Sequence, residues 1–169
     1  MFTLDEDDEV VGSRWLGKSI KATFFVIGSS DGNALVFSAE SIRVAGSKSG
    51  GVKGMKLKDG AKVVGFDWVR SSTAAENGVL TFTGKSVKLT PLSEIPVKNK
   101  GGMGVIVHSF KKGESEVTGF YAGAQPAITV TTGDLEETLA LPARSVKRGA
   151  PSTAMPLPAQ IGGRGAEVL

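Results

Sequence analysis

Apolar residues along this chain come in short Val/Ile/Phe/Thr runs punctuated by glycine, and no segment sustains a 3.6-residue apolar period over three helical turns. The pattern predicts strands joined by tight turns. It also repeats. Glu9-Val10-Val11-Gly12, Lys62-Val63-Val64-Gly65 and Glu116-Val117-Thr118-Gly119 stand 53 and then 54 residues apart, and Glu167-Val168-Leu169 opens a fourth occurrence. A unit of roughly 50 residues with this patterning cannot bury its own apolar face, so adjacent units must supply the missing surface.

Aligning the Val-x-Gly anchors brings other segments into column. Met1-Phe2-Thr3-Leu4 falls over Met55-Lys56-Leu57-Lys58, and Trp15 falls over Trp68, with Ala122 in the third copy. Downstream, Ala34-Leu35-Val36-Phe37, Val79-Leu80-Thr81-Phe82 and Ala127-Ile128-Thr129-Val130 make a second strand column. A third contains Ser41-Ile42-Arg43-Val44, Glu94-Ile95-Pro96-Val97 and Arg144-Ser145-Val146-Lys147. Tight reversals are expected at Asp31-Gly32-Asn33, Lys58-Asp59-Gly60-Ala61 and Lys111-Lys112-Gly113-Glu114, where glycine supplies positive φ or Asn and Asp tolerate it. About four strands per repeat then predict propeller-like blades in a single all-β domain over 1–169, with repeats near 1–49, 50–101 and 102–152 and a partial repeat at 153–169. Propellers close with about four to eight blades. Three repeats and a hairpin, beginning mid-pattern at Met1, are therefore either a set whose trailing hairpin completes a blade with earlier strands or, as the mid-pattern start favours, an arc of a longer protein.

Composition narrows the classes. At 169 residues with 40% apolar content the chain can build a shared core. The absence of cysteine removes disulfides and thiolate metal sites, and one histidine argues against zinc. The acidic start and the lack of a long apolar run argue against a signal peptide or a membrane span, which makes a cytoplasmic location the expectation. A net charge of +3 and pI near 9.2 are mild, so the placement of charge matters more than its sum.

That placement is uneven. Ser47-Lys48-Ser49-Gly50-Gly51-Val52-Lys53-Gly54 joins copies one and two, and Lys98-Asn99-Lys100-Gly101-Gly102-Met103-Gly104 joins copies two and three. Paired glycines allow close approach of the backbone and expose its N–H groups, while lysine neutralises phosphate, a combination suited to an extended polyanion. The alternative is a solvated glycine linker. Ten of the 20 Lys and Arg residues (Arg43, Lys48, Lys53, Lys85, Lys88, Lys98, Lys100, Arg144, Lys147 and Arg148) fall in late-strand or junction positions of the three copies. Recurrence at equivalent positions predicts a basic rim; ordinary solvated cations on outer strands are the bland reading.

The segment Leu80-Thr81-Phe82-Thr83-Gly84-Lys85-Ser86-Val87-Lys88-Leu89-Thr90-Pro91-Leu92-Ser93-Glu94-Ile95-Pro96-Val97-Lys98-Asn99-Lys100-Gly101-Gly102-Met103-Gly104-Val105 resembles the repeat of a C-terminal domain found in bacterial type IIA topoisomerases, in the A-type subunit of DNA gyrase or topoisomerase IV. Repeats of that family run from a strand through Gly-Lys into Thr-Pro-Leu-Ser-Glu, and on to a basic Gly-Gly segment before a Gly-Val strand. Copy two has every piece; copies one and three keep the spacing and fragments of the wording. The resemblance implies a β-pinwheel whose blades exchange strands, with double-stranded DNA bent around its rim without regard to sequence. It implies no catalytic residue and no cofactor in this chain, the parent enzyme using ATP and Mg²⁺ elsewhere. The implied partners are the remainder of the A-type subunit together with the B-type ATPase subunit, whereas the implied location is the cytoplasm, at the nucleoid. The Gln-Arg-Arg-Gly-Gly-Lys-Gly box of gyrase finds only a partial counterpart in Lys98–Gly104, which keeps the glycines and one basic position. Gly101 and Gly102 join the ten cations as candidate DNA-binding residues. The alternative function is a propeller-like protein-interaction module without nucleic-acid binding.

Other chemistry is thin. His108 has no second histidine or cysteine for a nucleophilic relay and falls in a strand column, so a packed or surface histidine is expected. Tyr121 reads as a strand residue, Asp5 to Glu9 as a solvated acidic turn rather than a metal cluster, and Trp15 and Trp68 as core.

Overall fold

The computed structural model describes residues 6, 8–17, 20–43, 46, 49–70, 77–124, 128–132, 135–139 and 147–154, with the backbone alone in 128–132 and 135–139. The expectations for Met1–Leu4, Asp5, Asp7, Val44, Lys48, Arg144 and the partial repeat beyond 154 lie outside the described residues.

Ten strands are described: β1 (Thr23–Ser29), β2 (Asn33–Ser38), β3 (Val63–Arg70), β4 (Asn77–Phe82), β5 (Ser86–Pro91), β6 (Val105–Ile106), β7 (Gly119–Ala124), β8 (Ile128–Thr132), β9 (Leu135–Leu139) and β10 (Thr153–Ala154). No described helix is long and apolar enough to cross a membrane. The strands form two antiparallel four-stranded sheets, ordered β3-β1-β2-β6 and β10-β5-β4-β7, and a separate β8-β9 hairpin.

Each four-stranded sheet draws on three successive repeats. The first takes its central hairpin from copy one, β3 from copy two and β6 from copy three; the second takes its hairpin from copy two, β7 from copy three and β10 from beyond it. A repeat is thus a unit of sequence, and a blade is assembled from parts of neighbouring repeats. This is the exchange of strands that the resemblance implied.

Two expectations about columns change. Ala34–Phe37 is the second strand of its hairpin, whereas Val79–Phe82 is the first. The matching pairs are β1 with β4 and β2 with β5, because β2 and β5 each run into a single 3₁₀ turn, at Ala39–Ser41 and Leu92–Glu94. Both arms of a hairpin are short apolar runs behind a turn, so hydropathy alone cannot tell one from the other. Trp15 is 85% exposed and belongs to no described strand. Trp68 is half-buried in β3, opposite Phe25 of β1, with the Arg70 guanidinium 5.2 Å from its ring centre.

The expected turns form. The Ser29 carbonyl accepts from Gly32 N–H at 3.0 Å, with Gly32 at φ +80°, and the Lys58 and Lys111 carbonyls accept from Ala61 N–H and Glu114 N–H, each at 3.0 Å. The reversals at Lys58–Ala61 and Lys111–Glu114 lie against the hairpin tip of the blade before them. Lys58 Nζ lies 3.0 Å from Asp31 Oδ2 in the first blade, and Lys85 Nζ donates to the Gly113 carbonyl at 3.0 Å in the second.

Strand β2 is buried along nearly its whole length because both faces are covered. Ala34 and Val36 join Val26, Val69, Val79, Leu92, Ile95, Val107 and Phe120 in a core shared between the two sheets. Leu35 and Phe37, on the opposite face, pack with Met55. The recurring glycine of the Val-x-Gly anchor belongs to this packing. A Cβ on Gly65 would stand 2.9 Å from the Phe120 carbonyl oxygen, and one on Gly119 would fall inside the Phe82 ring.

Candidate nucleic-acid interface

The loop from Lys98 to Gly104 follows the 3₁₀ turn Leu92–Glu94 and leads into β6. Its path is set by backbone bonds to two other segments. Lys98 N–H donates to the Val36 carbonyl at 2.8 Å, beside a parallel bridge between Val97 and Val36. Gly101 N–H donates to the Gly54 carbonyl at 2.6 Å, and Lys56 N–H donates to the Gly102 carbonyl at 2.9 Å. Gly102 lies over Leu35, where a Cβ would come within 3.7 Å of Leu35 Cδ1. Gly104, at φ +76°, passes so close to the Ala34 backbone that no side chain fits.

These bonds place the two glycine-rich junctions side by side. Lys53, Lys56 and Lys98 are exposed, and Lys100 is half-buried. An open cleft of about 730 Å³ lies between the loop and the 3₁₀ turn of the first blade, lined by Ser38, Ser41, Val97, Lys98, Asn99, Lys100, Gly101 and Gly102. The Lys98 ammonium reaches the Gly104 carbonyl at 3.4 Å, a single weak tether that leaves donors for a ligand. Clustered ammonium groups beside hydroxyls and a glycine backbone make a surface for phosphate oxygens.

The candidate residues do not all gather there. Arg43 is exposed just beyond the 3₁₀ turn of the first blade. Lys85 is exposed at the β4–β5 tip with its ammonium on Gly113. Lys147 is exposed and Arg148 half-buried, the Arg148 guanidinium donating to the Ile106 carbonyl at 3.4 Å. Lys88 departs from the rim altogether, being only 1% exposed. Its ammonium donates to the Arg148 carbonyl at 2.6 Å, and burial, then the nearby Arg148 charge, hold its pKa below the usual lysine value. Lys88 occupies in β5 the place that Leu35 occupies in β2, so the second blade supports its junction with a buried ammonium where the first uses an aliphatic side chain. Lys48 and Arg144 are outside the described residues.

Lys56 was missed by the sequence reading. The signal was available in the alternation Met55, Lys56, Leu57: Met55 is buried, Leu57 half-buried and Lys56 between them exposed. Ser38 and Ser41 carried no signal, because only the folded chain brings copy one's turn against copy two's junction.

The family profile described as DNA gyrase C-terminal domain, beta-propeller matches residues 23–67 and 86–122, the stretches that hold the blade-forming hairpins and strands. Those two stretches, 82 of the 169 residues, match that family. The DNA gyrase A subunit of Staphylococcus epidermidis is 35% identical over 100 residues, which cover 59% of this chain and 11% of the relative. Its counterpart in Staphylococcus aureus is 32% identical over 100 residues, with the same shares. The matching region thus spans about a tenth of the length of these relatives. Among solved structures, the C-terminal domain of DNA topoisomerase IV superposes with a TM-score of 0.72 at 24% identity, covering 87% of this chain and 45% of that one. The E. coli ParC C-terminal domain superposes with a TM-score of 0.62 at 21% identity, covering 82% and 57%. These two share the fold, the all-β pinwheel with strands exchanged between blades.

Away from the junctions, His108 and Glu114 are held by internal hydrogen bonds. His108 lies in the segment after β6 rather than in a strand, and it is 1% exposed. Its ring nitrogens stand 2.9 Å from Thr81 Oγ1 and 3.3 Å from Ser86 Oγ. Burial, opposed by Glu114 and aided by Lys88 and Lys111, lowers its pKa to about 4. Glu114 accepts from Thr83 Oγ1 at 2.5 Å and Ser86 Oγ at 2.6 Å. Burial raises its pKa, but those two hydroxyls and the Lys111 N–H outweigh it and hold the carboxyl below its usual value. Tyr121 lies in β7, as expected of a strand residue.

Proposed function

We propose that this chain is a non-catalytic DNA-binding and DNA-bending domain from the A-type subunit of a bacterial type II topoisomerase, either gyrase or topoisomerase IV. Its role would be to present a bent duplex for ATP-dependent strand passage, performed by the remainder of that polypeptide with the B-type ATPase subunit. ATP and Mg²⁺ would act in those other parts of the enzyme. The observation that supports this most is the joining of the two junctions by Gly101–Gly54 and Lys56–Gly102 backbone bonds, with Lys53, Lys56, Lys98 and Lys100 carried into one patch. Such a patch meets phosphates irrespective of base identity, and no described helix is placed to read base edges.

The test is duplex retardation across a salt series. Log affinity should fall linearly with log salt, and the Lys98→Ala/Lys100→Ala variant should weaken binding to unrelated sequences alike, with the slope reduced by about one for each lysine that contacts a phosphate. Lys88→Met, which removes a buried charge, should leave the slope unchanged. Binding of the double alanine variant with wild-type affinity would remove this patch as the contact surface.

A further inference from the structure

Met103 is an apolar residue, 42% exposed, in the lysine-bearing loop. An exposed methionine is ordinary; the way this one is held is not. On one side, the Gly102 carbonyl is bonded to Lys56 N–H, and a Cβ on Gly102 would come within 3.3 Å of the Asn99 carbonyl oxygen. On the other, Gly104 is seated against the Ala34 backbone. The Met103 backbone therefore stands between two fixed points, while its long unbranched side chain is partly in solvent and flanked by the patch of exposed Lys53, Lys56 and Lys98. Other exposed apolar residues nearby are constrained differently: Val97 is bridged to Val36, and Ile106 is part of β6, both with β-branched side chains that are stiff at χ1.

We propose that Met103 is a wedge that inserts between stacked base pairs of bound duplex DNA and localises its bend. The proposal rests on the DNA-binding reading above. Phosphates drawn to the lysines bring a groove over the loop, and a fixed backbone lets a flexible apolar side chain enter it without the loop yielding. Apolar side chains of this kind partly unstack a base step and kink the duplex, the extra backbone contacts offsetting the unstacking. Pyrimidine–purine steps unstack most readily, so a surface that otherwise ignores sequence acquires a preference for TA and CA/TG steps.

The experiment uses the 169-residue chain and a short duplex carrying 2-aminopurine beside a central TA step, with retardation measured in parallel. Binding by the wild-type chain should raise the 2-aminopurine emission as the base unstacks. Met103→Ala should lose that rise and the preference for the TA duplex, while keeping its affinity for a rigid A-tract duplex and its salt slope. Met103→Leu should retain the rise. Salt-dependent binding with no rise in the wild type, or an undiminished rise in Met103→Ala, overturns the wedge and leaves the lysine patch standing. Failure of the wild-type chain to retain any duplex overturns the DNA-binding reading and the wedge together.

Discussion

His108 shows how far a single residue can depart from what its neighbours in sequence suggest. No sequence feature distinguishes it from a surface histidine, yet the fold encloses it among Thr81, Ser86 and Glu114, with a pKa lowered to about 4. Below pH 6.5 the unfolded chain takes up a proton that the folded chain refuses until about pH 4, so the contribution is complete above pH 6.5 and is lost as the pH falls between those values. A displacement of this size corresponds to about 3 kcal/mol. Glu114, with its carboxyl held low, acts in the same direction in more acidic solution. Urea midpoints at pH 7.5 and pH 5 should therefore differ clearly in the wild-type chain, and His108→Gln should flatten the difference. Lys88 makes the same point about charge. In sequence it is one more recurrent cation, but its position in β5 corresponds to the buried Leu35, and an ammonium there must find an internal acceptor.

Among elements, the recurrent Val-x-Gly anchor has a physical cause at Gly65, packed against the Phe120 backbone, and at Gly119, where a Cβ would enter the Phe82 ring. Gly28 of β1, outside those anchors, lies under the Phe120 ring in the same way. Gly28→Ala and Gly119→Ala should each lower stability by about 1–3 kcal/mol through overpacking. Gly84→Ala, at a tip with open space around it, should change stability by less than about 0.5 kcal/mol. Chemical denaturation of the three variants checks this. The anchors, the turn at Asp31–Asn33 and the reversals at Lys58–Ala61 and Lys111–Glu114 were legible because each depends on a residue type with a local conformational demand. Pairing of Ala34–Phe37 with Val79–Phe82 failed because it rested on apolarity alone, which both arms of every hairpin share.

At the scale of the whole molecule, two complete four-stranded sheets share one core through Val26, Val79 and Phe120. The proposed bending of a duplex on the junction patch requires a fixed surface, and blades packed face to face resist sliding. Bending about 20–30 base pairs costs on the order of 1–6 kcal/mol, within reach of a few charge-assisted phosphate contacts. If the duplex is wrapped and not merely held, nicked circles ligated in the presence of the chain should show a shift in linking number. The shift should disappear at high salt, where the phosphate contacts are screened. Unshifted circles under conditions that saturate retardation would reduce the role to binding.

By itself the sequence determined the period, the all-β class, the turns and the family wording of copy two, all of them properties of residues close together along the chain. Tertiary structure alone decided which segments meet. Gly54 and Gly101 are bonded although 47 residues apart, Ser38 and Ser41 face Lys100 across a cleft, and Lys88 turns inward while Lys98 stays out. The reason is the exchange of strands between blades: a sheet built from three successive repeats joins junctions that the repeat pattern sets one period apart. Backbone hydrogen bonds between them carry no mark in the side-chain sequence.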